Sequence, residues 1–405
     1  MPKQPAIGLD EALALTLRHI GPLPPESIDL DQAVDRVAAE DLRARVNSPS
    51  VDASLKDGYA VRSLDVVTAS SLHPVRLSLT GSVAAGVDST LQVAPGTTVR
   101  VFTGAPLPAG ADAVVAEEFT APDGPTVRVN NVAEPGRNVM ARGSDVAAGR
   151  RVVRAGEFLT PGRIGLLAAA GHHRVAVVRR PMVAIAATGD EVVAPGRPLG
   201  EGKLYASNLT MLAAWCRRLG MHALTTIIPD DGQAIRQGLE AMLHQADALI
   251  TSGGAWGSDR DLVARVLAQL GWRRVYHRVR MGPGKAVGFG LLADKPVFIL
   301  PGGPPSNLMG FLQIALPGLL RMAGNPCVGL PTGQARLTRD LEGRHPDWTQ
   351  FVFGTLAGSS EAPDFVPLRG DSRLADMARA EAVVAIPEGQ ARWTAGTQVR
   401  VQLLN

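Results

Sequence analysis

Residues 181 to about 323 alternate short apolar runs with helical patterns, and this alternation constrains the fold more than any other feature of the chain. It is typical of βαβ units, in which consecutive strands lie parallel in one sheet that is covered by helices. We therefore expect a doubly wound α/β domain with a mostly parallel sheet. The predicted strands are 182–187, 223–228, 248–251 and 297–300, and the predicted helices are 207–219, 232–245, 261–270 and 306–322.

Each predicted strand is followed by a short segment rich in glycine, acids or hydroxyl groups. These segments are Thr188-Gly189-Asp190-Glu191, Pro229-Asp230-Asp231, Thr251-Ser252-Gly253-Gly254 and Leu300-Pro301-Gly302-Gly303. Because ligands of open α/β sheets bind beyond the carboxyl ends of the strands, we expect the four segments to line one crevice. Glycines there allow close approach of a ligand, and free amides at helix starts attract anions.

Taken singly, each segment also fits an ordinary turn or a capped helix start, and only their convergence favours a site. Two acids at one strand end indicate either a cation ligand or a hydrogen-bonding group for a substrate. The turn Gly282-Pro283-Gly284-Lys285 presents one ammonium, which is either solvated or in contact with a phosphate. Asn208, at the start of a predicted helix, fits a helix cap.

The rest of the chain predicts further domains around this one. Short alternating runs separated by Pro, Gly and Asp indicate a small β module over 51–143, inserted into a helical and extended domain of 1–50 and 144–179. Helices are expected near 9–20, 30–38 and 161–168. The α/β domain is assigned to 180–326, and the tail 327–405 predicts a second small β domain. The fold class is thus multidomain α/β plus β.

Two loops of the β module are candidates for ligand contact. Asp57-Gly58-Tyr59-Ala60 follows an extended stretch, and an acid beside glycine in a loop is usually a turn residue. The segment 102–115 packs many turn-forming residues between two strands and presents the Thr103 hydroxyl. For this second loop a structural turn and a ligand loop are equally consistent with the sequence.

Composition excludes several function classes. The net charge is +3 and only 4% of residues are aromatic, and the arginines are scattered pairs, so a nucleic-acid surface is not expected. The two cysteines lie far apart, which disfavours a zinc site or a disulfide framework and fits a reducing cytoplasm. No apolar run approaches the ~20 residues of a membrane helix. We expect a cytoplasmic protein without a membrane or nucleic-acid partner.

Taken together, the motifs resemble the molybdopterin molybdenumtransferase family, bacterial enzymes similar to the E domain of gephyrin. The resemblance covers nearly the whole chain. The motifs that carry it are Asp57-Gly58-Tyr59-Ala60-Val61, Thr103-Gly104-Ala105-Pro106, 110–115, Arg142-Gly143-Ser144-Asp145, Thr188-Gly189-Asp190-Glu191, Thr251-Ser252-Gly253-Gly254 with Asp261, Pro283-Gly284-Lys285 and Leu300-Pro301-Gly302.

The resemblance implies an elongated homodimer of four-domain subunits, with a molybdopterin-binding α/β domain and a C-terminal β-barrel. The implied reaction inserts molybdate into adenylated molybdopterin, with Mg²⁺ assisting and AMP released. A molybdopterin adenylyltransferase and a client molybdoenzyme are the implied protein partners.

The resemblance also implies roles for individual residues. The implied catalytic residues are Asp57, Thr103, Asp145 and Asp261, the first three reaching the site from the β module and its neighbouring segment of the dimer mate. The implied Mg²⁺ ligands are Asp190, Asp230 and Asp261. The implied substrate-binding residues are Thr188, Gly189, Glu191, Ser207, Asn208, Ser252, Gly253, Gly254, Lys285, Gly302 and Ser306.

The chain departs from the family pattern in ligand-facing loops. Lys56 stands where the family usually has Met, Gly282 stands where a basic or amide residue often precedes the Pro-Gly-Lys turn, and Gly303 stands where the family has Asn in Leu-Pro-Gly-Asn-Pro. Met140 and the segment Ala255-Trp256-Gly257-Ser258 also differ. These changes keep two alternatives open: a non-catalytic paralogue that binds or delivers finished cofactor, and a hydrolase acting on another nucleotide ester.

Overall fold

The computed structural model describes residues 6–253, 262–359, 361, 363–370 and 373–404. The chain divides into two compact units, one formed by residues 1–25 and 178–405 and the other by residues 26–177. Within the described residues, every helix is too short or too polar to cross a membrane.

A six-stranded mixed sheet forms the centre of the first unit. In spatial order its strands are His222–Ile228, Met182–Thr188, Ala248–Ser252, Lys295–Leu300, Gly288–Leu292 and Arg273–His277. The first four strands run parallel, and Gly288–Leu292 runs antiparallel to both of its neighbours. The four predicted strands are thereby confirmed. The other two were missed because one begins with two arginines and the other is rich in glycine.

Helices cover both faces of this sheet, which confirms the doubly wound α/β domain. Val183 and Ile185 point to one face and pack with the helix Ser207–Arg218, whereas Ala184 and Ala186 point to the other. The second face is covered by Gly232–Gln245 and Leu262–Gln269. Strands that are buried on both faces need continuous apolar runs, which is why these strands lack polar alternation.

The strand Lys295–Leu300, the last of this sheet along the chain, leads into one long helical segment, which runs from Pro304 to Met322. It consists of the α-helix Pro304–Gly310, a π-helical turn Phe311–Ala315 and the α-helix Leu316–Met322. Nearly all of its residues are buried. The N-terminal helix Leu9–Arg18 packs against its last part, and Ala12 belongs to the same core cluster as Leu316.

The C-terminal strands close into a five-stranded barrel, which confirms the predicted β-barrel. Around the barrel the strands are Thr349–Ala357, Asp364–Pro367, Thr332–Leu337, Gln398–Leu403 and Ala382–Ile386, and the last pairs with the first. Phe365 is fully buried inside it. The helix Arg373–Arg379 precedes Ala382–Ile386.

The second unit contains the predicted inserted β module, a six-stranded sheet. Its order is Ala113–Ala116, Gly58–Val61, Thr97–Val101, Val75–Val83, Thr126–Val129 and Thr120–Asp123. The segment 58–60 is thus a buried strand, and its interpretation as a loop was wrong. A Cβ at Gly58 would lie 2.1 Å from the Val115 carbonyl oxygen, so the glycine serves a close strand approach.

The prediction of a helix at 30–38 was also wrong. Only the 3₁₀ turn Leu30–Gln32 forms there. Asp35 has φ of 58°, which ends any helix, and Val37 and Ala38 then make bridges to Phe158 and Val177. Val37 and Ala38 are thus buried from extended backbone, whereas Val34 stays exposed. The helix Pro161–Ala169 is as predicted. The domain limits given above stay predictions.

Candidate active site at the carboxyl edge of the sheet

The register of the four parallel strands brings the predicted site segments to one edge. Thr188 lies opposite Ile228, Ala187 opposite Ser252, and Ser252 opposite Leu300. The segments that follow these strands therefore leave the sheet at the same level. This convergence is what the sequence predicted.

Three of these segments are packed tightly on one another around Gly253. Its N–H donates to the Leu300 carbonyl oxygen at 3.1 Å. Gly253 has φ of 109°, and a Cβ there would lie 3.0 Å from the Thr188 carbonyl oxygen. A Cβ at Gly302 would lie 3.9 Å from the Gly253 Cα. Glycine at 253 is therefore required both by backbone conformation and by space.

Asp190 and Asp230 lie together where two neighbouring strands end. The Asp230 N–H donates to Asp190 Oδ1 at 3.1 Å. The Glu191 carboxylate folds back over Gly189, so a Cβ at Gly189 would lie 2.5 Å from Glu191 Oε2. Partial burial and the nearby negative charges of Asp190 and Glu191 raise the pKa of Asp230 above its usual value. Crowded carboxylates of this kind favour a bound cation.

Asp261, one of the three predicted Mg²⁺ ligands, lies outside the described residues. Gly254, one of the predicted substrate-binding residues, lies outside them as well. Among the residues that the structure does describe, no group of three or more His, Cys, Asp or Glu side chains is arranged to hold a metal ion. The described part of the metal set is thus the pair Asp190 and Asp230.

Asn208 has a different position from the one expected. The helix Ser207–Arg218 has Ala206 as its N-cap residue, and no side chain caps it. Asn208 instead donates from Nδ2 to the Gly302 carbonyl oxygen at 2.7 Å and to Ser252 Oγ at 3.3 Å. The interpretation as a cap was wrong because the side chain points across the sheet edge, where it joins two loops.

Sequence reasoning included Asn307 in a possible anion-binding helix start and gave it no role of its own, and the structure buries it fully beside the same serine. Its Nδ2 donates to Ser252 Oγ at 3.0 Å and to the Pro301 carbonyl oxygen at 2.9 Å. The available signal was an amide side chain directly before the largely apolar segment 308–320. Buried amides are kept where their hydrogen bonds fix a particular geometry.

The turn that carries Lys285 packs against the start of the helix Pro304–Gly310. A Cβ at Gly284 would lie 3.4 Å from the Ser306 carbonyl oxygen. The Lys285 ammonium lies over the ring of Trp348, 4.9 Å from its centroid, a cation–π contact that the sequence did not indicate. Ser207 and Ser306 lie in the first turns of their helices.

The second unit joins Asp57 to Thr103. Both the backbone N–H and the Oγ1 hydroxyl of Thr103 donate to Asp57 Oδ1, at 2.7 and 2.8 Å. Both hydrogen bonds lower the pKa of this exposed carboxyl, and the one from the backbone N–H has the larger effect. Asp145 lies in an exposed turn, and its backbone N–H donates to the Ser48 carbonyl oxygen. The structure thus pairs two of the predicted catalytic residues in this unit.

Comparison with known proteins gives matches over almost the whole chain. Residues 7–171 match the MoeA N-terminal region, domain I and II, and residues 184–321 match the family described as a probable molybdopterin binding domain. Molybdopterin molybdenumtransferase 2 of Mycobacterium tuberculosis is 34% identical over 93% of this chain and 94% of its own length. Molybdopterin molybdenumtransferase of Bacillus subtilis is 30% identical over 99% and 95%.

Solved structures agree with these matches. A molybdopterin biosynthesis MoeA protein from Pyrococcus horikoshii superposes with a TM-score of 0.88 at 32% identity, covering 99% of this chain and 100% of that one. A second structure from the same source gives a TM-score of 0.82 at 27% identity, over 98% and 100%.

Proposed function

Since the chain belongs to the molybdopterin molybdenumtransferase family, we propose that it inserts molybdate into adenylated molybdopterin with release of AMP. The observation that carries this proposal is the convergence of Asp190, Asp230 and Ser252 at one sheet edge, within the region that matches a molybdopterin binding domain. The relatives at about one-third identity bear the name of a transferase, which favours the enzyme over a carrier of finished cofactor.

The substrate is an anionic phosphate ester, and the edge offers groups suited to it. The hydroxyl groups of Thr188, Ser252 and Ser306 donate to phosphate and pterin oxygens, and the absence of a side chain at Gly253 lets the ligand approach closely. Lys285 supplies a fixed positive charge from the adjoining turn. We assign substrate binding to these residues together with Gly189, Glu191, Ser207, Asn208, Gly254 and Gly302.

Mg²⁺ fits the two neighbouring carboxylates. Mg²⁺ in phosphate-processing sites usually takes one or two carboxylates and completes its shell with water and substrate phosphates. Burial, and after it the negative charges of Asp190 and Glu191, raise the pKa of Asp230, and a divalent ion relieves the repulsion between these carboxylates. We therefore propose Asp190 and Asp230 as ligands, with Asp261 as a third. When bound, the ion neutralises charge that develops on the pyrophosphate oxygens as AMP leaves.

The remaining proposals come from the family resemblance. We propose that the enzyme is a homodimer and that Asp57, Thr103 and Asp145 complete the catalytic site of the opposite subunit. Asp57 is kept ionised by Thr103 and so offers a carboxylate acceptor near molybdate or its protons. We also propose that it acts in the cytoplasm, between a molybdopterin adenylyltransferase that makes its substrate and a client molybdoenzyme.

The test of the function is AMP release from authentic adenylated molybdopterin. Wild-type protein with molybdate and Mg²⁺ is expected to release AMP, and Asp261→Ala to lose that release while keeping its melting temperature. Gly329→Ala, at a position where a Cβ meets nothing within 4 Å, serves as the control and is expected to behave as wild type. Folded wild-type protein that binds the pterin without releasing AMP would favour the carrier instead.

Subunit mixing tests the proposed homodimeric site. Asp57→Ala and Asp261→Ala proteins are each expected to be inactive. If each site uses Asp57 of one subunit and Asp261 of the other, reassociated mixtures contain heterodimers with one intact site and regain part of the activity. A mixture that exchanges subunits but stays inactive would contradict the shared site.

A further inference from the structure

Asn307 stands out because the proposed reaction gives it no role, although it is fully buried next to the substrate edge. It belongs to the helix Pro304–Gly310, and its backbone N–H donates to the Gly303 carbonyl oxygen at 2.8 Å. A polar side chain without access to water is retained only where its hydrogen bonds offset the cost of burial.

The orientation of the Asn307 amide is fixed by its neighbours. The Pro301 carbonyl oxygen can only accept, so the group facing it at 2.9 Å must be the amide nitrogen. The same nitrogen donates to Ser252 Oγ at 3.0 Å. The amide oxygen then faces the other way, and no described residue donates to it.

Two amide nitrogens together determine the direction of the Ser252 hydroxyl. Asn307 and Asn208 both donate to Ser252 Oγ, at 3.0 and 3.3 Å, and so occupy both acceptor positions of this oxygen. The hydroxyl proton is left for a third direction, and Ser252 donates to no acceptor among the described residues. A serine held in this way is a preoriented donor to an oxygen of a ligand.

Gly303 lies in the same loop as Pro301 and next to Asn307 in space. The family has Asn at 303, and this chain has glycine there. Position 307 is one helical turn further on, close to the same Pro301–Gly303 loop. Gly303 has φ of −68° and ψ of 127°, and a Cβ there would meet nothing within 4 Å. An asparagine at 303 would therefore fit without strain.

We infer that Asn307 is a positioning residue that orients the Ser252 hydroxyl toward an oxygen of the phosphorylated pterin, and that it replaces the amide missing at Gly303. The inference rests on the proposed function for the identity of the ligand. It concerns a loop in which this chain departs from the family pattern at Gly303, and it makes substrate affinity depend on Asn307 only through Ser252.

A double-mutant cycle tests this dependence. The dissociation constant of adenylated molybdopterin is measured for wild type, Ser252→Ala, Asn307→Ala and the double variant. Losing one oriented hydrogen bond is expected to weaken binding by about fivefold to tenfold in each single variant. The double variant is expected to bind as weakly as Ser252→Ala alone, because Asn307 acts through the serine. Additive losses, or unchanged binding by Asn307→Ala, would overturn the inference.

Two further variants separate positioning from simple stabilisation. Gly303→Asn added to Asn307→Ala is expected to recover at least half of the lost affinity. Gln313→Ala removes another buried amide of the same helical segment, one that pairs with Gln402 away from the sheet edge. It is expected to lower the melting temperature and leave the dissociation constant unchanged. Should Asn307→Ala fail to fold, Asn307→Ser takes its place in the cycle with the same expectations.

The outcomes distinguish this inference from the proposed function. Wild-type protein that binds the pterin but releases no AMP contradicts the proposed reaction only, and the ratios of dissociation constants still decide the role of Asn307. Wild-type protein that releases AMP while Asn307→Ala binds as tightly as wild type contradicts only the role of Asn307.

Discussion

Asp190 Oδ1 accepts the backbone N–H of Asp230 at 3.1 Å, which ties together the loops that follow two neighbouring parallel strands. This hydrogen bond, from the backbone of Asp230 to the carboxylate of Asp190, holds the two proposed metal ligands close together. One oxygen of Asp190 is engaged in this bond. The second oxygen and the Asp230 carboxylate are the groups that we expect to face the ion.

Asp230→Asn is expected to raise the melting temperature of the metal-free protein slightly at neutral pH. Because the pKa of Asp230 is raised in the folded state, its ionisation disfavours folding as the pH rises above the ordinary value of 3.8. The asparagine removes this penalty, and the difference between the two proteins is expected to vanish below that pH. Melting curves across a pH series measure it.

The same substitution is expected to weaken Mg²⁺ binding by on the order of tenfold, since one hard oxygen ligand is lost. Asp231→Asn is the matched control, because Asp231 caps the helix Gly232–Gln245 with its Oδ1 and is expected to affect stability and not the metal. Calorimetric titration with Mg²⁺ in the presence of substrate gives both affinities. Equal loss in the two variants would count against Asp230 as a ligand.

Thr103→Val is expected to raise the pKa of Asp57 toward its ordinary value. The substitution removes the hydroxyl bond and keeps the backbone N–H bond, so the change is partial. Because the pKa of Asp57 is lowered in the folded protein, its ionised carboxylate stabilises the folded state above pH 3.8. This stabilisation is lost as the pH falls through the pKa of the folded state, and the variant is expected to keep only part of it. Carbon-13 NMR titration of the carboxyl measures the shift. In the control, Thr126→Val, the lost hydroxyl bond goes to a backbone carbonyl, and Asp57 should titrate as in wild type.

Gly253→Ala is expected to weaken substrate binding by roughly tenfold or more. The added Cβ sits 3.0 Å from the Thr188 carbonyl oxygen at a φ of 109°, so the turn must move away from its neighbours. Strain of this kind typically costs about 1–3 kcal/mol. Binding of adenylated molybdopterin and thermal melting are measured together, with Gly329→Ala as control. Unchanged affinity would place the binding site elsewhere.

Gly354→Ala is expected to destabilise the barrel without changing the chemistry of the site. A Cβ at this position would lie 2.3 Å from Phe365 Cζ inside the barrel. Overpacking of this kind costs about 1–3 kcal/mol. Gly333→Ala, where the nearest atom is Val401 Cγ2 at 3.8 Å, is the control in another strand of the barrel. Urea denaturation compares the two, and equal stability would contradict the packing described for Phe365.

The sequence was most informative where local pattern and packing agree. Strands buried on both faces, such as Ala248–Ser252, require unbroken apolar runs, and their ends were correct to within one residue or two. The convergence of four strand ends followed from the topology of parallel sheets alone. The tail was predicted as a small β domain, and the strands Ala382–Ile386 and Gln398–Leu403 lie within it.

The failures share a tertiary cause. The stretch 30–38 has helical spacing of apolar residues, yet the backbone turns at Asp35, with φ of 58°, and Val37 and Ala38 then bridge to Phe158 and Val177. Asn208 was expected to make a local cap, and it binds across the sheet edge instead. Asn307 was given no role of its own because its partners, Ser252 and the Pro301 carbonyl, come close only after the sheet has formed.

We propose that the carboxyl edge around Asp190, Asp230 and Ser252 holds the phosphorylated pterin and its ion, and the roles assigned to the other residues depend on this. A crystal structure of the protein soaked with adenylated molybdopterin and Mn²⁺, whose anomalous signal locates the metal, tests it most directly. We predict the metal at Asp190 and Asp230 and a ligand oxygen within hydrogen-bonding distance of Ser252 Oγ. A metal and a pterin both bound elsewhere, with this edge empty, would contradict the claim.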